Sequence, residues 1–254
     1  MEKINSTQNA KIKYWKKLQT KKGRKKENKY LLEGWHLVKE ALMVDAKIEY
    51  LLVTNDFRYF DDIINTEIEQ VEISSEVSLY LADTSTPQGI YAVVKMEENR
   101  QLTIDNLAGG WLMLDGVQDP GNIGTMVRTA DAAGLTGVIF GEGSADSHHP
   151  KVLRSMQGSQ FHIQLVNADL MEVATLFKEN HIPLYGSELN EDARSYREIP
   201  AAANFGLIMG NEGNGMRNDL LNTTDANLYI PIKGRAESLN VAIAAGVLMF
   251  QLKA

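Results

Sequence analysis

At 254 residues the chain is long enough for two domains of about 150 residues or less, and no stretch nears the roughly 18 consecutive apolar residues of a membrane span. The absence of cysteine excludes a disulfide framework, a thiolate metal site and a cysteine nucleophile. Residues 1–30 are too polar for a signal peptide, so the expectation is a soluble, cytoplasmic protein.

The charge is unevenly spread. Residues 1–30 hold 11 of the 26 Lys and Arg against only Glu2 and Glu27, a local charge of +9, which leaves −16 on the other 224 residues of a chain whose net charge is −7. That asymmetry suggests a basic arm laid against a polyanion, with Lys16, Lys17, Lys21, Lys22, Arg24, Lys25 and Lys26 as candidate phosphate contacts. Charge alone fits a solvated tail equally well. A helix follows through residue 43, with Trp35, Val38, Ala41 and Leu42 on one face. A strand over 48–53, a helix-like piece over 57–64, a short strand at 71–73, a short helix near 78–81 and a closing strand over 89–95 complete a small α/β domain. Glu97, Glu98, Asn99 and Arg100 could not be buried together, so the polar run 96–101 marks a boundary. The expected domains are 1–96 and 105–254.

From Trp111 onward the pattern changes to apolar strands over 112–117, 137–140, 162–166, 183–187, 206–209 and 228–232, alternating with helices. Such alternation implies a mostly parallel sheet covered on both faces. Between the first two strands, Asn122 is placed to cap a helix that ends at Gly134. The last helix, over 239–252, is apolar nearly all round, so it must be buried either in the core or between subunits.

Three segments carry the candidate chemistry. In Leu114-Asp115-Gly116-Val117-Gln118-Asp119-Pro120-Gly121-Asn122-Ile123-Gly124-Thr125-Met126-Val127-Arg128, a strand end and a Pro-Gly turn lead into a helix. Its first turns set an amide and a guanidinium beside free backbone N–H groups, an arrangement suited to an anion; Asn122 as a plain cap and Arg128 as a surface residue is the bland alternative. In Met209-Gly210-Asn211-Glu212-Gly213-Asn214-Gly215, glycines after an apolar strand let the backbone approach a ligand closely, although such turns also occur without one. Their order is G-x-x-G-x-G and they come late in the domain, so they are not the dinucleotide fingerprint, and the lack of an early fingerprint with an acid about 20 residues beyond it argues against a nucleotide-dependent oxidoreductase. In Ile230-Pro231-Ile232-Lys233-Gly234-Arg235-Ala236-Glu237-Ser238-Leu239-Asn240, a hydroxyl and an amide stand at the mouth of the apolar helix; capping explains one of them but not readily both.

In order and separation these segments resemble the three signature motifs of the SpoU/TrmH family of the SPOUT methyltransferase superfamily, over about residues 112–252. Pro150-Lys151-Val152-Leu153-Arg154-Ser155-Met156-Gln157-Gly158 is similar to the family's connecting segment, and residues 5–95, with Glu33-Gly34 and Gln88-Gly89-Ile90, resemble more loosely its ribosomal-protein-like substrate-binding domain. The resemblance implies a parallel α/β sheet with a carboxy-terminal trefoil knot, preceded by the small α/β substrate-binding domain. It implies a homodimer that methylates a ribose 2'-hydroxyl of RNA from S-adenosylmethionine, without a metal. The cofactor would lie against Met209, Gly210, Gly213, Ile230, Ile232, Ser238 and Leu239. Asn122, Arg128, Glu212, Ser238 and Asn240 would form the catalytic set, with Arg128 nearest the 2'-hydroxyl and commonly completing the partner subunit's site. Glu212 could equally cap its own loop.

Lys151 and Arg154 are further candidate RNA contacts, or else the solvated start of a helix. His148 and His149 lack a third ligand of suitable spacing and read as loop residues. The separate first domain favours 23S ribosomal RNA as substrate. The alternatives are a transfer-RNA 2'-O-methyltransferase and a catalytically silent RNA-binding factor of ribosome assembly.

Overall fold

The computed structural model describes residues 1–63, 66–97, 102–103 and 106–253. It divides into two units, Met1–Glu98 with His148–Phe161 and Asn99–Ser147 with His162–Ala254. The boundary expected over 96–101 falls mostly on residues outside those described.

The first unit opens with β1 (Glu2–Ile4), α1 (Ala10–Lys17), α2 (Lys21–Glu27), β2 (Lys29–Glu33) and α3 (Trp35–Met43), followed by β3 (Ile48–Thr54), β4 (Glu69–Ile73), α4 (Ser75–Leu81) and β5 (Ile90–Lys95). Its sheet runs β1-β4-β3-β5-β2, parallel from β1 through β3 and antiparallel where β5 meets β3 and β2. The helix expected over 57–64 reduces to one 3-10 turn, Phe60–Asp62, and residue 64 lies outside those described.

The basic segment is no arm. Asn9 caps α1 by accepting from the Lys11 N–H at 2.8 Å, and Thr20 caps α2 by accepting from the Gly23 N–H at 3.1 Å. Between the lysines, Ile12, Trp15 and Leu18 are buried in one apolar cluster with Leu31, Leu52, Val71 and Tyr91. The hydrophobic gain from those side chains fixes the segment, and the lysines occupy what remains of its surface. Arg24 departs most from expectation. It is 2% exposed and donates through Nη1 to the carbonyls of Leu18 and Gln19, so it ties down the α1–α2 turn and is unavailable to a phosphate.

The chain continues through β6 (Gly110–Asp115), α5 (Pro120–Ala132), β7 (Gly137–Phe140), α6 (Pro150–Met156), β8 (Gln164–Asn167), α7 (Leu170–Glu179), β9 (Leu184–Ser187), β10 (Arg194–Ser195), β11 (Phe205–Gly210), α8 (Asn218–Leu221), β12 (Ala226–Tyr229) and α9 (Val241–Leu252). Of these, α6 belongs to the first unit. There His149 caps it, its Nδ1 accepting from the Lys151 N–H at 3.2 Å, and Arg154 pairs with Asp83 at 2.7 Å. The second unit's sheet, β10-β12-β9-β11-β6-β7-β8, is parallel throughout. Every residue of β6, β7 and β11 is buried, as strands covered on both faces must be.

β12 ends at Tyr229, so Ile230 and Ile232 follow the strand, contrary to the expected extent of 228–232. α9 packs on α5 and β11. No helix among the described residues is long and apolar enough to cross a membrane.

Candidate active site

Asp119 starts α5: its Oδ1 accepts from the Asn122 N–H at 2.8 Å, with Pro120 in the first turn. Ile123, Met126, Val127 and Ala130 then bury one face. Asn122 is therefore not the cap, and its side chain is released for other work.

That work joins all three motifs. The Asn240 Oδ1 caps α9, accepting from the N–H groups of Ala242 at 2.9 Å and Ile243 at 3.3 Å. The amide's orientation is thereby fixed, because only oxygen can accept. Asn240 Nδ2 must then donate, and it does so to Asn122 Oδ1 at 2.9 Å. Asn122 Nδ2 in turn donates to Glu212 Oε1 at 3.0 Å. The relay ends on the carboxylate, which also accepts from the N–H groups of Asp119 at 3.2 Å and Gln118 at 3.3 Å. Partial burial pushes the Glu212 carboxyl up. The hydrogen bonds from Asn122 and from the backbone N–H groups of Glu212, Gln118 and Asp119 outweigh burial and hold it below its ordinary value.

The glycine loop is held separately. Asn211 Oδ1 accepts from the N–H groups of Gly213 and Asn214, while its Nδ2 donates to the Gly116 carbonyl at 2.8 Å. Asn211 and Gly215 exchange two backbone bonds of 3.0 Å. A Cβ on Gly210 would come within 2.4 Å of the Gly215 and Met216 backbone, so loop closure alone demands glycine there. Substituting Gly210 would displace the loop and cannot isolate a cofactor contact. Buried Asp115, at the end of β6, accepts from Arg217 N at 2.7 Å and from Arg217 Nε at 2.9 Å, a second tie between the first two motifs. The sequence reading missed this pair. An acid closing an apolar strand was its only signal.

Arg128 and Ser238 stay outside the relay. Arg128 is exposed on α5 and makes no hydrogen bond or ion pair among the described residues. Six residues beyond Asn122, it lies about 9 Å further along the helix and on a different face. Ser238 sits in the exposed loop over 231–240, of which residues 231–239 have no backbone hydrogen bond to the rest of the described chain.

Free main-chain donors and acceptors in that loop, with Ile232 and Leu239 exposed beside them, suit a ligand that is part aromatic and part polar. A Cβ on Gly234 would meet nothing within 4 Å, and one on Gly213 only Asn211 Oδ1 at 3.6 Å, so the backbone there is open to close approach. Met209 is buried in β11. These residues fit S-adenosylmethionine held mostly by main chain. No group of three or more His, Asp or Glu that could hold a metal occurs among the described residues.

The second unit is thus a parallel sheet whose strand ends carry an amide–carboxylate relay, a glycine hairpin and an open loop. Residues 111–250 match the SpoU rRNA Methylase family and residues 9–92 match the MRM3-like substrate binding domain. The chain belongs to the SpoU rRNA methylase family. It is 46% identical, over the whole of both chains, to the 23S rRNA (guanosine(2553)-2'-O)-methyltransferase RlmP of Bacillus subtilis. An rRNA methyltransferase from Sinorhizobium meliloti superposes with a TM-score of 0.88 at 27% identity, covering 98% of this chain and 96% of that one. The AdoMet-bound form of that enzyme gives 0.86 with the same coverage.

Proposed function

We propose that the protein transfers the methyl group of S-adenosylmethionine to a ribose 2'-hydroxyl of 23S ribosomal RNA. The relay Glu212–Asn122–Asn240, which draws one residue from each motif into a single oriented chain, carries this reading. The bound cofactor supplies a methyl on a sulfonium, already a good leaving group, so the protein's task is to position the attacking oxygen and ease loss of its proton. Arg128 holds the 2'-hydroxyl and its neighbouring phosphate in a planar fork and stabilises the oxygen as the proton departs. A guanidinium stays protonated at neutral pH and makes a poor proton acceptor in isolation, so the proton passes to the neighbouring phosphate or to solvent. Asn122, Glu212 and Asn240 keep the three loops in register, Ser238 orients the substrate, and Met209, Gly210, Gly213, Ile230, Ile232, Ser238 and Leu239 hold the cofactor.

Residues 1–96 bind RNA and residues 105–254 perform the transfer. The exposed Lys17, Lys21, Lys22, Lys25, Lys26 and Lys151 supply phosphate contacts; Lys16, whose Nζ reaches the Ala82 carbonyl at 3.4 Å, adds a half-buried one. Arg154 is held by Asp83 and drops out of that set. The sheet order supports a carboxy-terminal trefoil knot: β12 pairs with β9 and β10 rather than with β11, and α9 then returns to α5 and β11. The test is incubation of unmodified 23S rRNA with protein and labelled S-adenosylmethionine, followed by mapping of ribose methylation. One modified position is expected. Methylation of transfer RNA alone would move the substrate assignment.

The site is completed in a homodimer. Ile243, Val247 and Phe250 recur at i, i+4 and i+7 on α9, and Ile243 and Phe250 are 56% and 61% exposed. Large apolar side chains aligned on one helix face suit a second copy of the same helix. Phe250→Glu is expected to convert a dimer to a monomer in sedimentation equilibrium, and a wild-type chain that is monomeric at all concentrations would refute the dimer.

A further inference from the structure

The first unit contains a cavity of about 470 Å³, within the ~300–1,000 Å³ range of small-ligand sites, and Gln88 and Gly89, from the segment that resembles the substrate-binding domain, are among its lining. Three rings from two parts of the chain line it: Trp35 at the start of α3, and Phe57 and Tyr59 after β3. Trp35 and Tyr59 are nearly parallel, 11° apart with centroids at 5.4 Å, while Phe57 meets them edge-on at 5.6 and 6.0 Å. Phe57 is buried and anchors the group, whereas Trp35 is half-buried and Tyr59 is 48% exposed. The other two tryptophans, Trp15 and Trp111, are fully buried.

The polar groups of the cavity are equally specific. Gln88 Oε1 accepts from the Trp35 N–H at 2.7 Å, so its Nε2 is left as a donor, and it has no partner among the described residues. Asp56 and Arg58 line the same cavity, both exposed and neither in a hydrogen bond or ion pair among the described residues. Ser75, Ser78 and Leu79 of α4 supply another wall. An outer ring face of a stacked aromatic pair, an amide donor, a carboxylate acceptor and one guanidinium match the face, edges and phosphate of a nucleotide.

We propose that this cavity takes one unpaired nucleobase of the RNA substrate, stacked on an outer face of the Trp35–Tyr59 pair, with its edge met by Gln88 Nε2 and the Asp56 carboxylate and its phosphate by Arg58. This rests on the reading of the protein as an RNA methyltransferase. Direct readout of splayed bases by aromatic rings is the main way proteins recognise single-stranded RNA, and the contact is lost when the base is paired.

The test uses the full-length protein and short single-stranded adenosine and uridine oligoribonucleotides, with a duplex of the same length and inorganic tripolyphosphate as controls. Because Trp15 and Trp111 are buried, quenching of tryptophan emission reports Trp35. Single strands should quench it and the controls should not. Tyr59→Ala, at a half-exposed position whose loss spares the core, should weaken binding of a labelled single strand by about tenfold. Gln88→Ala should weaken it less, with a small fall in unfolding midpoint from the lost Trp35 N–H partner. Tyr59→Ala should keep the wild-type midpoint, and both variants should keep wild-type S-adenosylhomocysteine affinity. Quenching by duplex or tripolyphosphate equal to that by single strands, or unchanged affinity in Tyr59→Ala, overturns the proposal. Methyl transfer by the wild type is measured in parallel to separate the two readings. If the wild type methylates rRNA while Tyr59→Ala keeps its KM and its single-strand affinity, the pocket alone fails. If no RNA is methylated but Tyr59→Ala still loses single-strand binding, the pocket stands and the methyltransferase reading fails.

Discussion

Arg128→Ala is expected to cost methyl transfer about 10²–10³-fold, the usual loss when one preorganised donor is removed from a reacting centre, with unfolding and S-adenosylhomocysteine affinity unchanged. The separation is sharp because Arg128 is exposed and unbonded among the described residues, so the fold does not depend on it. Lysine should not rescue, since a point charge cannot replace a planar fork that spans ribose and phosphate. Near-normal single-turnover rates for Arg128→Lys would contradict the assignment. Mixing decides which subunit Arg128 serves. Arg128→Ala and Glu212→Gln subunits, each inactive alone, regain activity in a mixed dimer only if the Arg128 of one subunit completes the Glu212 site of the other. No recovery on mixing places Arg128 in its own chain's site.

The parts of the site that were legible in the sequence are those where polar residues interrupt apolar elements. Asn122, Glu212 and Asn240 each stand beside a buried strand or helix, and the relay unites them. Which of them caps a helix was less legible. The sequence placed the cap at Asn122, whereas the geometry assigns it to Asp119, three residues earlier, with Pro120 next to it. The basic segment misled for a related reason. Its apolar residues Ile12, Trp15 and Leu18 are few and spaced among lysines, so composition reads as a tail while the core takes those three. Periodicity showed that α9 must be covered, yet it cannot distinguish a core from a subunit interface; one face of α9 is buried in the unit while Ile243 and Phe250 are exposed. The aromatic wall of the cavity had no sequence signal, because Trp35 and Tyr59 come together only through the fold.

Asn122→Asp probes the relay more severely than removal would, because it alters one atom's role and nothing of its shape. In the wild type the donor direction runs one way, from Asn240 to Asn122 to Glu212, and it is fixed at the start by the two α9 N–H groups on Asn240 Oδ1. An introduced carboxylate still accepts from Asn240. Toward Glu212, however, it faces a second carboxylate across a contact that is now 3.0 Å, with no proton between them. Like charges at that range cannot both stay ionised without displacement, so either the loops separate or one group takes a proton. Against partial burial, the wild-type Glu212 carboxyl is held below its ordinary value first by the Asn122 side chain and then by the backbone N–H groups of Glu212, Gln118 and Asp119. The variant removes the first of these but keeps three backbone donors on Glu212, whereas the introduced carboxyl keeps only the Asn240 donor, so the introduced carboxyl is the one whose pKa rises. Above that raised pKa the pair repels and the motifs part; below it the introduced group is protonated, donates to Glu212 and restores the relay. Activity of Asn122→Asp should therefore be depressed at least ~10²-fold near pH 8, comparable to breaking a charge-assisted contact at a reacting centre, and should recover relative to wild type as the pH falls toward 6. The wild-type relay contains no group that titrates over that interval, because the Glu212 carboxyl is ionised throughout. A ratio of variant to wild-type rate that stays flat from pH 8 to pH 6 would show that the relay does not hold the site together.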